Sequence, residues 1–217
     1  MGIRHIEFIR DSEYWMLEFN KMDIILSKER VDAQECDLLV VGFFRDERPL
    51  KGSSGWIDWR FNGMLSQLLV ENKLTGDWKE ATLIPSQERI LPRMILLLGL
   101  GEVRTYGALR LRQLSPYLLD TLRKLRWPNI CLSFPYGESY HVDSRKIAES
   151  LIEGIANDLG RQESHLEEEW TRRLRLFFAE GEEVFPEILS GVQTAKSIYG
   201  DRIQIRISVP SDGIFPS

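Results

Sequence analysis

The run Arg93-Met-Ile-Leu-Leu-Leu-Gly-Leu-Gly101 constrains the fold more than any other stretch of the chain. Its five consecutive apolar residues offer no polar face. A strand formed here must therefore be covered on both sides, as in a sheet with helices above and below. The glycines at 99 and 101 permit a tight exit from the strand's end. In sheets of this kind the C-terminal strand ends open onto the crevice where ligands usually bind.

The rest of the chain supplies layers for such a sheet. Met22–Leu26 and Asp37–Phe44 read as strands, the second buried on both faces. A polar loop follows from Arg45 to Gly55. From Trp56 the period changes: Trp56, Trp59, Phe61, Met64, Leu65, Leu68 and Leu69 recur at threes and fours, which predicts one amphipathic helix closing near Thr75-Gly76. Ala81–Ile84 and Arg93–Leu98 are two further strands. Residues 105–126 carry a leucine stripe and predict a long helix, which Pro116 should kink or split. Asn129–Phe134 is a strand, and Asp143 is placed to cap a helix reaching residue 160. The acidic stretch Glu163–Glu169 reads as a solvated approach to a strand over Arg172–Phe178. Glu182–Tyr199 is a helix, and Ile203, Ile205, Ile207 and Val209 alternate as a final strand. Strands and helices thus alternate. This predicts an α/β fold in three layers, α/β/α, around a mixed and mostly parallel sheet. A length of 217 residues suits a single domain over 21–210, with an N-terminal extension over 1–20 and a mobile tail over 211–217.

Charge and composition narrow the function. A net charge of −5 gives nucleic acid no bulk attraction, although Arg104, Arg110, Arg112, Arg123, Lys124 and Arg126 gather around one helix. No apolar run approaches the roughly 20 residues a membrane-spanning helix needs. The opening Met-Gly-Ile-Arg-His lacks the charged-then-apolar layout of a secretory signal. Cys36 and Cys131 each sit beside a strand and are expected as buried free thiols, which fits a reducing cytoplasm.

Catalytic and metal motifs are sparse. His141-Val-Asp143 has no third ligand at a useful spacing, and Asp143 already serves as a helix cap. His165 lies among glutamates on what reads as a charged face. No metal site, cofactor or catalytic residue is expected. Three loops share one property, that each follows a buried strand. They are Gly52, Ser53, Ser54 and Gly55; Gly99, Leu100 and Gly101; and Ser133-Phe-Pro-Tyr-Gly-Glu-Ser139, with Ser133, Tyr136, Gly137, Glu138 and Ser139 as its candidates. Parallel strands would bring all three to one sheet edge, where free backbone N–H groups would cradle an anion such as a phosphate-containing small ligand. Trp56 and Trp59 stand beside the first of these loops.

The order of these pieces resembles the N-terminal domain of leucine aminopeptidases of the M17 peptidase family. The resemblance is carried by the strand Asp37–Phe44, the Gly-Ser loop, the helix containing Asn62-Gly-Met-Leu-Ser-Gln-Leu-Leu69, and Met94-Ile-Leu-Leu-Leu-Gly-Leu-Gly-Glu102. Ile130-Cys-Leu-Ser-Phe-Pro-Tyr-Gly-Glu138 and Leu174 to Leu189 look like the closing strand–helix units of macro domains, and the likeness runs over roughly residues 22–209. It implies a macro-domain-like fold. The dinuclear metallopeptidase signature of that family, Asn-Thr-Asp-Ala-Glu-Gly-Arg, occurs nowhere in the sequence. The expectation is therefore a non-catalytic domain acting in assembly, regulation or ligand sensing, possessing neither metal nor cofactor and working beside a separate peptidase. Macro domains bind ADP-ribose, so nucleotide binding is the competing expectation, and an accessory DNA-binding role a third. Two departures weigh against ADP-ribose processing: Phe43-Phe44-Arg45-Asp46 stands where such domains carry an asparagine-rich turn, and Asp32 is out of register for the adenine contact. The resemblance also implies a homo-oligomer. The two-faced final strand and the apolar Tyr14, Trp15, Leu17 and Phe19 of the extension agree with self-association.

Overall fold

A computed structural model describes residues 21–159, 165–200 and 204–209. The extension expected over 1–20, the tail over 211–217 and Ile203 lie outside the described residues. Among the described residues seven strands form one sheet: β1 (Lys21–Ser27), β2 (Leu38–Phe43), β3 (Ala81–Pro85), β4 (Met94–Gly99), β5 (Asn129–Ser133), β6 (Arg175–Ala179) and β7 (Gln204–Ser208). Their order across the sheet is β3-β4-β2-β5-β6-β1-β7. Every neighbouring pair is parallel except β3 with β4. The expected mixed, mostly parallel α/β sheet is what the chain forms.

The period of two along each strand divides the core into two. Leu38 and Val40 of β2 join Leu96, Leu98, Ile130, Leu132, Leu176 and Phe178 on one face. Leu39, Val41 and Phe43 join Ile95, Leu97, Cys131 and Phe177 on the other. The first face is covered by α3 (Ala108–Leu125), α4 (Ser144–Leu159) and α6 (Phe185–Tyr199), through Leu111, Leu114, Leu118, Leu122, Leu151, Ile155 and Val192. The second is covered by α1 (Gly52–Arg60) and α2 (Met64–Val70), through Ile57, Phe61, Leu65 and Leu69. Burying aliphatic side chains of this size stabilises by about 1.5–3 kcal/mol each, so both helix layers are required to shield a strand like β2.

Several local expectations shift for identifiable reasons. The helix expected from Trp56 begins earlier, because Gly52-Ser-Ser-Gly55 is the first turn of α1 rather than a loop. It then breaks at Asn62 and Gly63, both left-handed with φ of 56° and 78°. The Asp58 carboxylate accepts the Ser66 N–H (3.0 Å) and the Ser66 hydroxyl, which ties the start of α2 to α1. The acidic stretch after residue 163 contributes to a helix, α5 (His165–Arg173), instead of an extended approach. Glu169 and Arg173 pair across one turn at 2.6 Å, and Trp170 is buried with its indole N–H donating to the Trp127 carbonyl. Strand β6 accordingly starts at Arg175. Asp143 caps α4 as expected, accepting the Lys146 N–H at 2.6 Å.

Pro116 neither splits nor ends α3, which runs unbroken from Ala108 to Leu125. Proline removes the N–H that would serve the Arg112 carbonyl one turn earlier. Gly154 of α4 packs at this point: a Cβ there would lie 3.1 Å from the Arg112 carbonyl oxygen and 2.4 Å from Ser115 Cβ. The helices meet closely where α3 lacks a hydrogen bond, and the missing side chain makes the approach possible. In an unpacked helix, Gly→Ala is favourable by about 0.5–1 kcal/mol. Here Gly154→Ala is expected to destabilise by about 2 kcal/mol through overpacking. Urea denaturation monitored by circular dichroism checks the sign, and a variant at least as stable as the wild type would refute the close approach.

Candidate functional site

The C-terminal ends of β1, β5 and β6 lie side by side, because these strands are parallel and β6 pairs with both of the others. The chain leaving β5 runs through Phe134, Pro135 and Tyr136. The chain leaving β6 places Glu180 directly past the strand, and the segment after β1 carries Arg30 and Val31. Together with the start of α1 these segments enclose a cavity of about 400 Å³. Gly52, Ser53 and Trp56 supply the α1 side, and Tyr140 closes it from the 3-10 turn Glu138–Tyr140. A wider depression of about 680 Å³ adjoins it, sharing Arg30, Tyr136 and Glu180 and extending to Asp32, Arg60 and Glu183.

Hydrogen bonds fix the walls. The Ser133 and Ser53 hydroxyls meet at 2.6 Å, joining the end of β5 to the first turn of α1. The Tyr106 hydroxyl donates to the Pro135 carbonyl at 2.9 Å and holds the loop after β5. The Tyr140 hydroxyl donates to Glu47 at 2.8 Å, and its ring stacks on the buried Phe44 with centroids 5.4 Å apart. Beside the mouth, the Arg30 guanidinium lies 3.9 Å over Trp56, and Trp56 meets Trp59 edge to face at 5.6 Å. Asp32 binds Arg60 at 2.8 Å and Arg30 at 3.6 Å, so both arginines are held in place.

Glu180 is the site's distinctive titrating group. Burial pushes its carboxyl up to about 7, against a smaller opposing effect from the Ser133 hydroxyl. Tyr136 is pushed up to about 12 by burial first and then by the carboxylates of Glu180, Glu187 and Glu183. Burial and the Glu47 hydrogen bond likewise raise Tyr140. Cys36 and Cys131 are both free and buried; the Cys131 thiol is raised well above its ordinary value by its hydrogen bond with Cys36 and by burial.

The structure brings two of the three expected loops together. Gly52 and Ser53 line the cavity with Tyr136, and Ser133 sits behind them. Ser54 turns inward, its hydroxyl donating to the Lys51 carbonyl, and Gly55 abuts the Leu50 carbonyl. Gly137 bends the chain at φ 107°, while Glu138 and Ser139 are exposed outside the cavity lining. Gly99, Leu100 and Gly101 lie elsewhere. Gly99 backs onto Asp77, the Gly101 N–H donates to the Gly76 carbonyl, and Leu100 is buried in the core. That loop secures the connection between β2 and β3, so its glycines serve close backbone approach. Glu180, Arg30 and Tyr140 were not among the sequence candidates. Glu180 had a readable signal as the first residue past a strand that parallels β5. Among the described residues, no group of three His, Cys, Asp or Glu side chains is placed to hold a metal ion.

The sequence profile of the cytosol aminopeptidase family, N-terminal domain, matches residues 40–162. Probable cytosol aminopeptidases of Alkaliphilus metalliredigens and of a Cyanothece species are 22% and 26% identical over 126 and 134 residues, or 58% and 62% of this chain. Those matches cover 25% and 27% of the relatives, so the chain spans about a quarter of their length. Among solved structures, a tomato leucine aminopeptidase mutant superposes with a TM-score of 0.57 at 19% identity, over 83% of this chain and 36% of its own. A macrodomain mutant of Oceanobacillus iheyensis gives 0.56 at 11% identity over 80% and 93%. A Trypanosoma brucei macrodomain in complex with ADP-ribose gives 0.56 at 15% over 76% and 67%. These likenesses are of fold, and the fold is macro-domain-like.

The raised Glu180 carboxyl has a consequence for stability. Below its ordinary value of 4.5 the group is protonated both folded and unfolded, and it costs nothing. As pH rises from there to about 7 the unfolded chain releases the proton first, so the folded state loses stability across that window and stays lowered above it. Glu180→Gln removes the effect. The variant is expected to be more stable than wild type by about 3 kcal/mol at pH 8, and equal to it well below pH 4.5, at about pH 3. Denaturation midpoints at the two pH values check this, and an equal difference at both would exclude a desolvated carboxyl.

Proposed function

The chain belongs to the cytosol aminopeptidase family through its N-terminal domain, and from that premise we propose that it is a non-catalytic, macro-like module that holds a small ligand in the crevice and acts in assembly or regulation of a peptidase. The observation that carries the reading is the cavity at the C-terminal ends of β1, β5 and β6, walled by residues from four separate segments. It lies at the edge of a parallel sheet where ligands usually bind. Cytoplasmic residence belongs to the same reading and follows the relatives' description as cytosol aminopeptidases.

Two features set the module apart from one built for ADP-ribose. Asp32 is already engaged by Arg60 and Arg30, so its carboxylate is not free to accept a nucleobase N–H. The Phe44 ring in the turn after β2 is fully buried against Tyr106 and Tyr140, in place of a polar group facing the crevice. Nucleic acid is disfavoured by the pairing of four of the six cations around α3: Arg112 with Glu153, Arg123 with Asp158 at 2.9 Å, Lys124 with Asp120 at 2.7 Å and Arg104 with Glu102. Paired cations release few counterions and gain little from a phosphate backbone. Self-association is part of the proposal, since β7 is the last described strand at its side of the sheet and Val209 beside it is half exposed.

The purified chain is expected to show no metal-dependent turnover of leucine p-nitroanilide with Mn²⁺ or Zn²⁺, weak or no heat with ADP-ribose in calorimetry, and a light-scattering mass above the 25.3 kDa of one copy. Robust metal-dependent turnover would end the non-catalytic reading. Micromolar ADP-ribose affinity would replace it with a nucleotide-binding one, and a clean monomer would remove self-association.

A further inference from the structure

We propose that the crevice takes a small organic cation, an ammonium or amidinium group on a flat apolar body, with Glu180 as its counter-charge. The proposal rests on the reading of the crevice as a ligand site and names the ligand's chemistry. Four aromatic residues line the cavity, Trp56, Phe134, Tyr136 and Tyr140, and aromatic side chains attract cations. Glu180 lines the same cavity and has no lysine or arginine within ion-pairing distance among the described residues. The Ser133 hydroxyl, which donates to Ser53 at 2.6 Å, offsets only part of the effect of burial on its carboxyl.

Three other acids around the crevice are answered by cations from the chain itself, while Glu29 and Glu183 line the wider depression beyond it. Asp32 has Arg60 and Arg30, Glu47 has Lys51 at 3.6 Å, and Glu182 has Lys28 at 3.1 Å. A desolvated carboxylate with no counter-ion is costly and is relieved either by a proton or by a cation brought from outside. The shift of Glu180 to about 7 reports that cost. A phosphate bound at the same place would instead face an unneutralised carboxylate.

The charged and titrating groups around Glu180 come from every neighbouring segment. The connection after β1 brings Lys28, Glu29, Arg30 and Asp32, and α1 brings Arg60. The loop after β5 brings Tyr136, and the segment after β6 brings Glu182 and Glu183. Tyr106 and Cys131 feel the Glu180 charge from within the core. The three groups among these with a raised proton affinity, Tyr106, Tyr136 and Cys131, are all shifted upward, away from neutrality. His141 lies outside the cavity lining.

Calorimetric or NMR titration with benzylamine, and with benzyl alcohol as its neutral counterpart, tests the assignment. At pH 8 benzylamine is expected to bind at least tenfold more tightly than benzyl alcohol. Its affinity should fall about tenfold between pH 8 and pH 6, following the ionised fraction of a carboxyl that titrates near 7. Glu180→Gln should reduce benzylamine to the level of benzyl alcohol and remove the pH dependence, and a melting curve establishes that the variant is folded. The wild-type pH series needs no variant, so a poorly folding Glu180→Gln leaves the test intact. Equal binding of amine and alcohol overturns the cation assignment while leaving the crevice a ligand site. Binding of neither, or an undiminished preference in Glu180→Gln, overturns it as well. Turnover of leucine p-nitroanilide would bear on the non-catalytic reading alone.

Discussion

Leu38, Leu39, Val40 and Val41 are all withdrawn from solvent, although neighbouring residues of a strand point to opposite faces of the sheet. This double burial is the constraint from which the rest of the structure follows. It requires α3, α4 and α6 on one side and α1 and α2 on the other, since either layer alone would leave half of β2 wet. Helices on both faces are in turn what connects parallel strands, because a parallel neighbour can be reached only by crossing over the sheet. Parallel strands end at the same edge, and the crevice forms there because β1, β5 and β6 deliver their exits to it together.

The crevice inherits its chemistry from the side chains that the strand ends deliver to it. Glu180 leaves β6 immediately beside the core and is partly buried, so burial raises its carboxyl and Ser133 offsets only part of the effect. Farther out the same segments expose charge freely, and there Asp32 has found Arg60 and Glu182 has found Lys28. Outside, exposed pairs of this kind contribute little to stability. Inside, Glu180 has no lysine or arginine partner among the described residues. The tryptophans at the mouth, 43% and 65% exposed for Trp56 and Trp59, are unusual for side chains of that size and are steadied by Arg30 and Arg60 lying over their rings.

The sheet was legible because its signal is periodic and local: Met94–Leu98 and Asp37–Phe44 declare strands buried on both faces with no tertiary information. The order of segments carried the resemblance to the aminopeptidase N-terminal domain, which residues 40–162 bear out. What escaped depends on contacts between distant segments. Nothing near Pro116 in sequence announces that α3 runs through it, or that Gly154 of another helix packs closely at that point. Gly52-Ser-Ser-Gly55 reads as a loop by composition and is helical by its packing beside β2. Gly99 and Gly101 looked like part of a cradle, yet their backbone faces Asp77 and Gly76. Glu180 has only its position past β6 to mark it in sequence, and its place in the crevice arises from the strand ends that surround it.

The account turns on Glu180 being a desolvated carboxyl without a counter-ion, and this can be read at the atom itself. Carbon-detected NMR of the side-chain carboxyls, with Glu180→Gln supplying the assignment, follows its ionisation through a pH series. A midpoint near 7 is predicted. A midpoint at or below the 4.5 of an ordinary glutamate would contradict the account, because it would mean that water or a cation already satisfies the charge.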